Sequence, residues 1–362
     1  MRTHRRMWGY CAIAAILTLT SLTHGPPFTD LVQDYAAAWA VLHQRDPNGP
    51  TGPLMAACCP EWVELHGIVW QTAHPPAATL VTLAVAWLPW QRAKWMWLAL
   101  SAVVLVVGWW VLGLDLGTVI ALAWPSLFAL SLGSLEPLLF VLLAVAMRGH
   151  LRPAVAGSML GLAVSIKVYP VALVVGLIMA SRWRTALIAL GVTLLVGSLA
   201  ELVVGGTWQW VSYTPVNVLT HLEVQANLVR LVHLALPHVA PGSISAALLG
   251  GLTVPLLPYL RQQPLQAMVP VMLLASPLAW TQYQVMLGLV PLGRVERGLL
   301  LLTGSLVALV LLGVLPYGWA APVVPWLLFL VVGWVWGRLV WQGQNGLVLL
   351  KDRYVHQSPT CS

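Results

Sequence analysis

Charged residues are scarce in this 362-residue chain. Asp, Glu, Lys and Arg make up 8% of it, whereas a typical soluble domain contains about 25%. So few charges exclude an ordinary soluble domain of this length. Hydrophobic residues make up 59% of the chain, and the mean hydropathy is +0.83. Because apolar runs recur from end to end, we predict an all-α, polytopic helical membrane protein.

Cysteine is also rare, and the patterns of common metal and nucleotide sites are missing. Two of the four cysteines are adjacent, and none has the spacing of metal ligands, which excludes a disulfide framework and a zinc site. The chain contains no HExxH, P-loop or dinucleotide-binding glycine pattern. The sequence therefore indicates no metal and no cofactor.

The net charge of +7 does not indicate a nucleic-acid-binding surface. Basic residues occur in ones and twos between apolar runs, rather than in a cluster. That distribution is typical of the residues that set membrane topology. We therefore expect membrane lipids, and not a nucleic acid, as partners.

The apolar runs predict about twelve transmembrane helices. The segment 115–134 is ambiguous. We expect that it does not cross the membrane, because the alternation of inner and outer loops then fits the other spans best. The first run follows Arg2, Arg5 and Arg6 and resembles a signal peptide, but we interpret it as a retained helix because no cleavage site is convincing. We expect one integral membrane domain over 1–340 and a short cytoplasmic tail over 341–362. The predicted spans are 7–24, 77–90, 95–113, 135–147, 153–166, 168–181, 184–205, 242–260, 265–279, 283–293, 298–315 and 320–337.

The positive-inside rule orients these spans with the N-terminus in the cytoplasm. Fifteen of the eighteen basic residues then lie inside, and the other three, Arg45, Lys167 and Arg230, lie outside. Most acids, including Asp115, fall on the outer side. Two outer loops, 25–76 and 206–241, are long, so we expect polar chemistry at the outer face. The inner set is Arg2, Arg5, Arg6, Arg92, Lys94, Arg148, Arg152, Arg182, Arg184, Arg261, Arg294, Arg297, Arg338, Lys351 and Arg353.

Two carboxylates follow the first span within an apolar stretch. Asp30 and Asp34 are four residues apart, so on a helix they share one face. Acids in a first helical turn also complement the helix dipole, which is the structural alternative for Asp30. Acids at a membrane are costly and indicate function, and a carboxylate here could take a proton from a sugar hydroxyl. We predict an outer-face juxtamembrane helix that carries both acids, with Tyr35 beside them.

Two isolated cations on the outer side are candidate phosphate ligands. Lys167 lies between apolar residues and before the helix-breaking Pro170; a lysine at a helix end that reaches toward the membrane surface is the alternative. Arg230 has a planar guanidinium group, whose donors match the oxygens of a phosphate. The alternative is a salt bridge between Arg230 and Glu201 or Glu223. Both residues stay candidates for one anionic ligand.

Two further segments place polar residues next to predicted spans. His74 precedes two prolines that set a helix start, so it is either an interfacial residue or part of the site. The run 276–283 contains Trp280, Gln282 and Tyr283 at an outer helix junction. A helix break or the wall of a substrate cavity would explain this second run.

Several of these segments, in this order, resemble glycosyltransferase family 87 of the GT-C superfamily of membrane glycosyltransferases. No single piece is specific, but the order and spacing of the series extend from about position 30 to 290. The pieces are Asp30–Pro47, His74–Pro76, Leu132–Ser134, Gly161–Pro170, Arg182–Arg184 and Ser276–Trp280.

The resemblance implies an inverting hexosyltransferase of the bacterial plasma membrane. The best-known members of this family take mannose from a polyprenyl-phosphate-sugar and transfer it to a lipid or glycan acceptor of the cell envelope. By resemblance Asp30 is the catalytic base, with Asp34 the alternative, and Lys167 and Arg230 bind the donor phosphate without a metal. Tyr35, His74, Trp280, Gln282 and Tyr283 would line the substrate cavity on the outer face.

The chain departs from the family pattern at three places. Glu136 ends a Gly-Ser-Leu-Glu run where the family often has Gly-Gln-x-Asn, and Gln282 stands where a histidine often follows the Ser-Pro-x-x-Trp motif. His43-Gln44-Arg45 replaces the usual glycine at the end of the first outer helix. A lipid-linked sugar flippase or transporter, or a catalytically inactive family member, is the alternative. A transporter usually shows inverted repeats, and we find no internal repeat here.

Overall fold

A computed structural model describes residues 2–23, 28–66, 74–148, 152–207, 211, 228–276, 281–311 and 317–355. Within these ranges the chain is helical and contains no strand, which confirms the all-α prediction. Two 3₁₀ helices, Val254–Leu256 and Thr281–Leu289, interrupt the later part of the chain. The first ten α-helices are α1 (Arg2–Thr23), α2 (Thr29–Leu42), α3 (Thr51–Cys58), α4 (Pro60–His66), α5 (Pro76–Ala86), α6 (Trp90–Leu112), α7 (Leu116–Ala121), α8 (Ala123–Leu132), α9 (Glu136–Met147) and α10 (Pro153–Ile166). The others are α11 (Val171–Met179), α12 (Trp183–Val203), α13 (Leu228–Ala235), α14 (Pro241–Thr253), α15 (Leu257–Leu260), α16 (Pro264–Ala275), α17 (Arg294–Leu311) and α18 (Tyr317–Val355).

Four described helical stretches are long and apolar enough to cross a membrane: Trp90–Leu112, Trp183–Val203, Pro241–Leu260 and Val323–Asn345. Five further apolar helices have only 10–17 residues. At 1.5 Å per residue, the 12 residues of α9 extend about 18 Å, less than the roughly 30 Å of a hydrocarbon core. The structure is thus that of a helical membrane protein, while twelve crossings stay a prediction.

The helix bundle has two ends, which we call the site end, where Asp30 lies, and the far end, where Arg6 lies. At the far end Arg6 donates to the Gly113 carbonyl at 3.5 Å, and Arg297 pairs with Asp115 at 2.9 Å. At the site end Trp97 Nε1 donates to the Gly133 carbonyl at 2.9 Å. It follows that α6 runs from the site end to the far end, and that α7 and α8 together return.

The structure places two segments differently from the predicted topology. Both ends of the predicted span 77–90 lie at the site end, because His74, before α5, contacts Asp34, and Leu88, after α5, accepts a hydrogen bond from Tyr35. With 11 residues, α5 is short and lies lengthwise against α2 at the site end. The segment 115–134, predicted not to cross, runs from the far end to the site end instead.

Beyond residue 135 these two differences cancel, so the later residues lie on the side that the sequence predicts. Between the two segments, residues lie at the opposite end of the bundle from the predicted one. Arg92 and Lys94, placed inside by the sequence, lie near the start of α6 at the site end. Asp115, placed outside, lies at the far end and pairs with Arg297, which the same prediction placed inside.

Gly133 allows α2 to approach the bundle closely. It ends α8 in the left-handed conformation, with φ of 65°. A Cβ at this position would lie 2.7 Å from Leu31 Cβ, so only glycine leaves room for α2. The tight contact places Asp30, the neighbour of Leu31, next to the start of α9.

Two glycines set the position of α10 in the same way. Gly157 and Gly161, four residues apart, face α12, and a Cβ at Gly161 would lie 2.5 Å from the Ala189 carbonyl. Small residues at this spacing let membrane helices pack closely. The packing fixes α10, whose last turn delivers Lys167 to the site end.

Candidate active site

The predicted helix with two acids is α2, and both acids lie at the site end. Asp30 is in its first turn and is partly exposed, whereas Asp34, one turn later, is buried. Leu31, Val32 and Ala36 bury the apolar side of the helix. The spacing of the acids therefore places both carboxylates along one polar face, as predicted.

Asp34 pairs with His74, the residue before the two prolines that precede and begin α5. His74 Nδ1 lies 2.8 Å from Asp34 Oδ2, and the Thr82 hydroxyl donates to the Asp34 backbone carbonyl at 3.0 Å. Asp34 Oδ1 is buried and has no hydrogen-bond partner. Asp34 is thus paired with an imidazole, whereas Asp30 has no such partner among the described histidines.

Lys167 forms a buried ion pair with Glu136. Lys167 Nζ lies 2.6 Å from Glu136 Oε1, with the lysine 3% and the glutamate 0% exposed. α9 begins with Glu136 and α10 ends just before Lys167, so the α9–α10 hairpin holds both at the site end. The predicted phosphate ligand is therefore already paired with a carboxylate.

Aromatic rings and an amide complete the cluster. Lys167 Nζ lies 4.8 Å from the centre of the Tyr283 ring, which stacks on Tyr169 at 4.7 Å between centroids. Gln282 Nε2 donates to Asp30 Oδ2 at 3.3 Å. The 3₁₀ helix Thr281–Leu289 thus brings Gln282 and Tyr283 to the two charged groups from the opposite part of the chain.

The surroundings favour the protonated form of Asp30. Burial raises the pKa of its carboxyl above the ordinary value, and the negative charges of Glu136 and Asp34 act in the same direction. Lys167, and His74 when protonated, lower this pKa, but burial is the largest effect. A carboxylate whose pKa is raised toward the working pH is a stronger general base.

Among the other predicted residues, Tyr35 contacts groups outside this cluster. The Tyr35 hydroxyl donates to the Leu88 carbonyl at 2.7 Å, and its ring packs on Trp90. Arg230 lies on α13 and makes contacts of its own, and it is not among the charges that act on Asp30. Trp280 lies outside the described residues.

Glu136 is the functional candidate that the sequence reasoning missed. From the sequence, Glu136 is only a departure from the family pattern, and its side of the membrane depends on the ambiguous segment 115–134. The available signal was the position of an acid at the first turn of one short apolar helix, with Lys167 at the end of the next. Among the described residues, no group of three or more His, Cys, Asp or Glu could hold a metal ion.

The comparison with known families agrees with the resemblance. The sequence model described as "Glycosyltransferase family 87" matches residues 72–281, more than half of the chain. The chain belongs to glycosyltransferase family 87. Neither the curated proteins nor the solved structures give a significant match.

The family 87 match covers part of the cluster. His74, Glu136 and Lys167 lie within the matched residues, while Asp30 and Asp34 precede them and Gln282 follows directly. The family shows that the chain is a glycosyltransferase, which needs a sugar donor and an acceptor. Among the described residues, the cluster at the site end brings together buried charges and hydrogen-bonding groups suited to that chemistry.

Proposed function

We propose that this member of glycosyltransferase family 87 transfers a hexose from a polyprenyl-phosphate-sugar to a lipid or glycan acceptor at the outer face of the bacterial plasma membrane. The observation that carries the proposal is the partly exposed Asp30 carboxylate beside the buried Lys167–Glu136 pair. A base and a cation side by side are what glycosyl transfer from a phosphate requires. Mannose, as in the best-known family members, is the proposed sugar.

In the proposed reaction Asp30 accepts the proton of an acceptor hydroxyl. The oxygen of that hydroxyl attacks the anomeric carbon while the bond from this carbon to the phosphate oxygen breaks. The electron pair leaves with the lipid phosphate, and the attack from the opposite side inverts the anomeric configuration. Because a phosphate is a weak base, its departure needs no general acid.

Lys167 is proposed to stabilise the charge that develops on the departing phosphate. An ammonium group has three N–H donors, so Lys167 can donate to Glu136 and to phosphate oxygens at the same time. Glu136 holds the lysine in place. Arg230, on α13, stays the proposed second phosphate ligand, and Trp280 and Tyr283 stay proposed cavity residues.

Replacement of Asp30 tests this function directly. We expect Asp30→Asn to lower the rate of transfer from farnesyl-phospho-mannose by about 10²–10⁴, the usual contribution of a general base. The matched control is Asp115→Asn, an acid-to-amide change at the far end, which should keep the rate. Transfer at the wild-type rate in Asp30→Asn would overturn the mechanism.

The same assay separates the other functions. Radiolabelled farnesyl-phospho-mannose is added to the protein in vesicles, and both the acceptor and the vesicle lumen are analysed. Label on the acceptor supports the transferase. Label that crosses the bilayer without transfer identifies a flippase, and neither outcome identifies an inactive family member.

A further inference from the structure

The carboxylate of Glu136 has one oxygen that the protein leaves unused. Oε1 accepts from Lys167 at 2.6 Å, but Oε2 is buried and has no hydrogen-bond partner. Glu136 itself is 0% exposed. A buried carboxylate oxygen without a partner costs free energy, so such an atom points to a ligand that supplies a donor.

The atoms around Glu136 restrict the chemistry of that ligand. Lys167 and Glu136 together carry no net charge, and Asp30 and Asp34 lie near enough to act electrostatically on the same region. The buried atoms of the cluster without a partner include three acceptors, Asp34 Oδ1, Gln282 Oε1 and Glu136 Oε2, and one hydroxyl, that of Tyr169, which can also donate. A ligand rich in hydroxyl donors, such as a sugar ring, matches these acceptors, whereas a second anion does not.

The position of Glu136 selects one hydroxyl of the donor sugar. This step rests on the proposed function, in which Lys167 contacts the phosphate at the anomeric carbon. The two oxygens of one carboxylate are about 2.2 Å apart, and a hydrogen bond adds about 2.7 Å. Within that reach of the lysine, the nearest sugar hydroxyl is the one on the carbon next to the anomeric carbon.

We infer that Glu136 is a specificity-determining residue, whose Oε2 accepts a hydrogen bond from the 2-hydroxyl of the donor hexose. In glycosyl transfer, hydrogen bonds to the 2-hydroxyl strengthen as the transition state forms. Glu136 therefore contributes to the rate as well as to binding. Mannose and glucose differ only in the configuration at this carbon, so Glu136 also discriminates between these two sugars.

The test pairs a change in the protein with a change in the donor. Farnesyl-phospho-mannose is compared with its 2-deoxy and 6-deoxy derivatives. With the wild-type protein, we expect the Kd of the 2-deoxy donor to be about 10- to 150-fold higher than that of the parent donor, the range for a hydrogen bond to a charged group. With Glu136→Ala, the Kd values of the parent and 2-deoxy donors should agree within about threefold, because the partner of the hydroxyl is already gone.

Two further variants distinguish a loss of sugar discrimination from a folding defect. Glu136→Ala leaves Lys167 buried without a partner, which is strongly destabilising. Glu136→Leu combined with Lys167→Met removes both charges, and its Kd values should show the same loss of discrimination. Glu136→Gln keeps an acceptor oxygen for Lys167 and places an NH2 group, which can donate to the 2-hydroxyl, at the position of Oε2. A neutral hydrogen bond should retain a preference of at most about tenfold for the parent donor over the 2-deoxy donor.

The matched control is Glu296→Gln at the far end. Glu296 is also a buried carboxylate in an ion pair, with Arg338 at 2.6 Å, and it is 1% exposed. This variant should keep the full wild-type preference for the parent donor.

Binding and transfer are measured separately, so that the two proposals can fail independently. The Kd of each donor, followed by tryptophan fluorescence, requires no turnover. A 2-deoxy effect on Kd that disappears in Glu136→Ala supports the inference even if no sugar is transferred. Transfer with equal 2-deoxy losses in wild type and Glu136→Ala overturns the inference and keeps the proposed function. The inference is also overturned if Glu136→Ala abolishes an effect of the 6-deoxy donor on Kd and keeps the effect of the 2-deoxy donor.

Discussion

Gln282 donates a hydrogen bond to Asp30 at 3.3 Å, although the two residues are 252 positions apart in the chain. From the sequence, Gln282 is a departure from the family pattern, because it occupies the place of an expected histidine. In the structure its side-chain amide reaches the proposed base. A glutamine here keeps an N–H donor that a histidine could also supply.

Gln282→Met removes this donor while it keeps the length of the side chain. The Asp30 carboxylate then loses a hydrogen bond, so the pKa of Asp30 rises further above its ordinary value. Because Asp30 is the proposed base, activity should rise with pH through this pKa. We expect the acidic limb of the pH profile of kcat/KM to move up by about 0.5–1 unit. Gln282→His should stay closer to the wild type, and an unmoved limb in Gln282→Met would contradict the role.

Asp30→Asn should stabilise the protein at neutral pH while it removes activity. Since burial raises the pKa of Asp30 in the folded state above that in the unfolded state, stability decreases as pH rises through the interval between the two values. Asparagine has no such cost. The gain in Tm of Asp30→Asn over wild type should therefore appear as pH rises and vanish below the pKa of an unfolded aspartate. A gain in Tm that increases as the pH falls would contradict this prediction.

Gly133→Ala and Gly113→Ala separate backbone strain from a steric clash. The two glycines end α8 and α6 with nearly equal φ of 65° and 66°, so alanine costs both variants about 1–2 kcal/mol. At Gly113 an added Cβ meets nothing within 4 Å, whereas at Gly133 it lies 2.7 Å from Leu31 Cβ. Gly133→Ala should lose a further ~1–3 kcal/mol, measured by thermal unfolding.

The same pair of variants tests the position of α2. A shift of Leu31 moves Asp30, so we expect Gly133→Ala to lose transfer activity by about tenfold or more. Gly113→Ala should keep it, because Gly113 lies at the far end. Equal activity in the two variants would show that the contact of α2 with Gly133 does not position the base.

Cysteine labelling tests the topology that the structure indicates. In a background without the four native cysteines, Arg92→Cys should react with an impermeant maleimide in intact cells, whereas Asp115→Cys should react only after permeabilisation. Both positions are exposed in the structure. Arg45→Cys and His4→Cys serve as outer and inner controls. The topology read from the sequence expects the reverse at both test positions, so the experiment decides between the two.

Patterns local in the sequence led to the helical class, to the Asp30–Asp34 spacing and to the isolated Lys167. The reason is physical: hydropathy and helical periodicity depend on neighbouring residues alone. The family resemblance also rests on short local segments, and the comparison confirms it. Helices occur at or next to most predicted spans for the same reason.

Only the tertiary structure decided what each charged group faces. The partner of Lys167 is Glu136, 31 positions away, the partner of Asp34 is His74, 40 positions away, and Asp30 contacts Gln282. Such pairs depend on which helix ends meet. A hydropathy pattern gives the length of an apolar run but not the direction in which the helix packs. It therefore predicts a span at α5, whose two ends both lie at the site end in the structure. The energy of a buried charge is set by those distant partners, and therefore by the packing of the whole bundle.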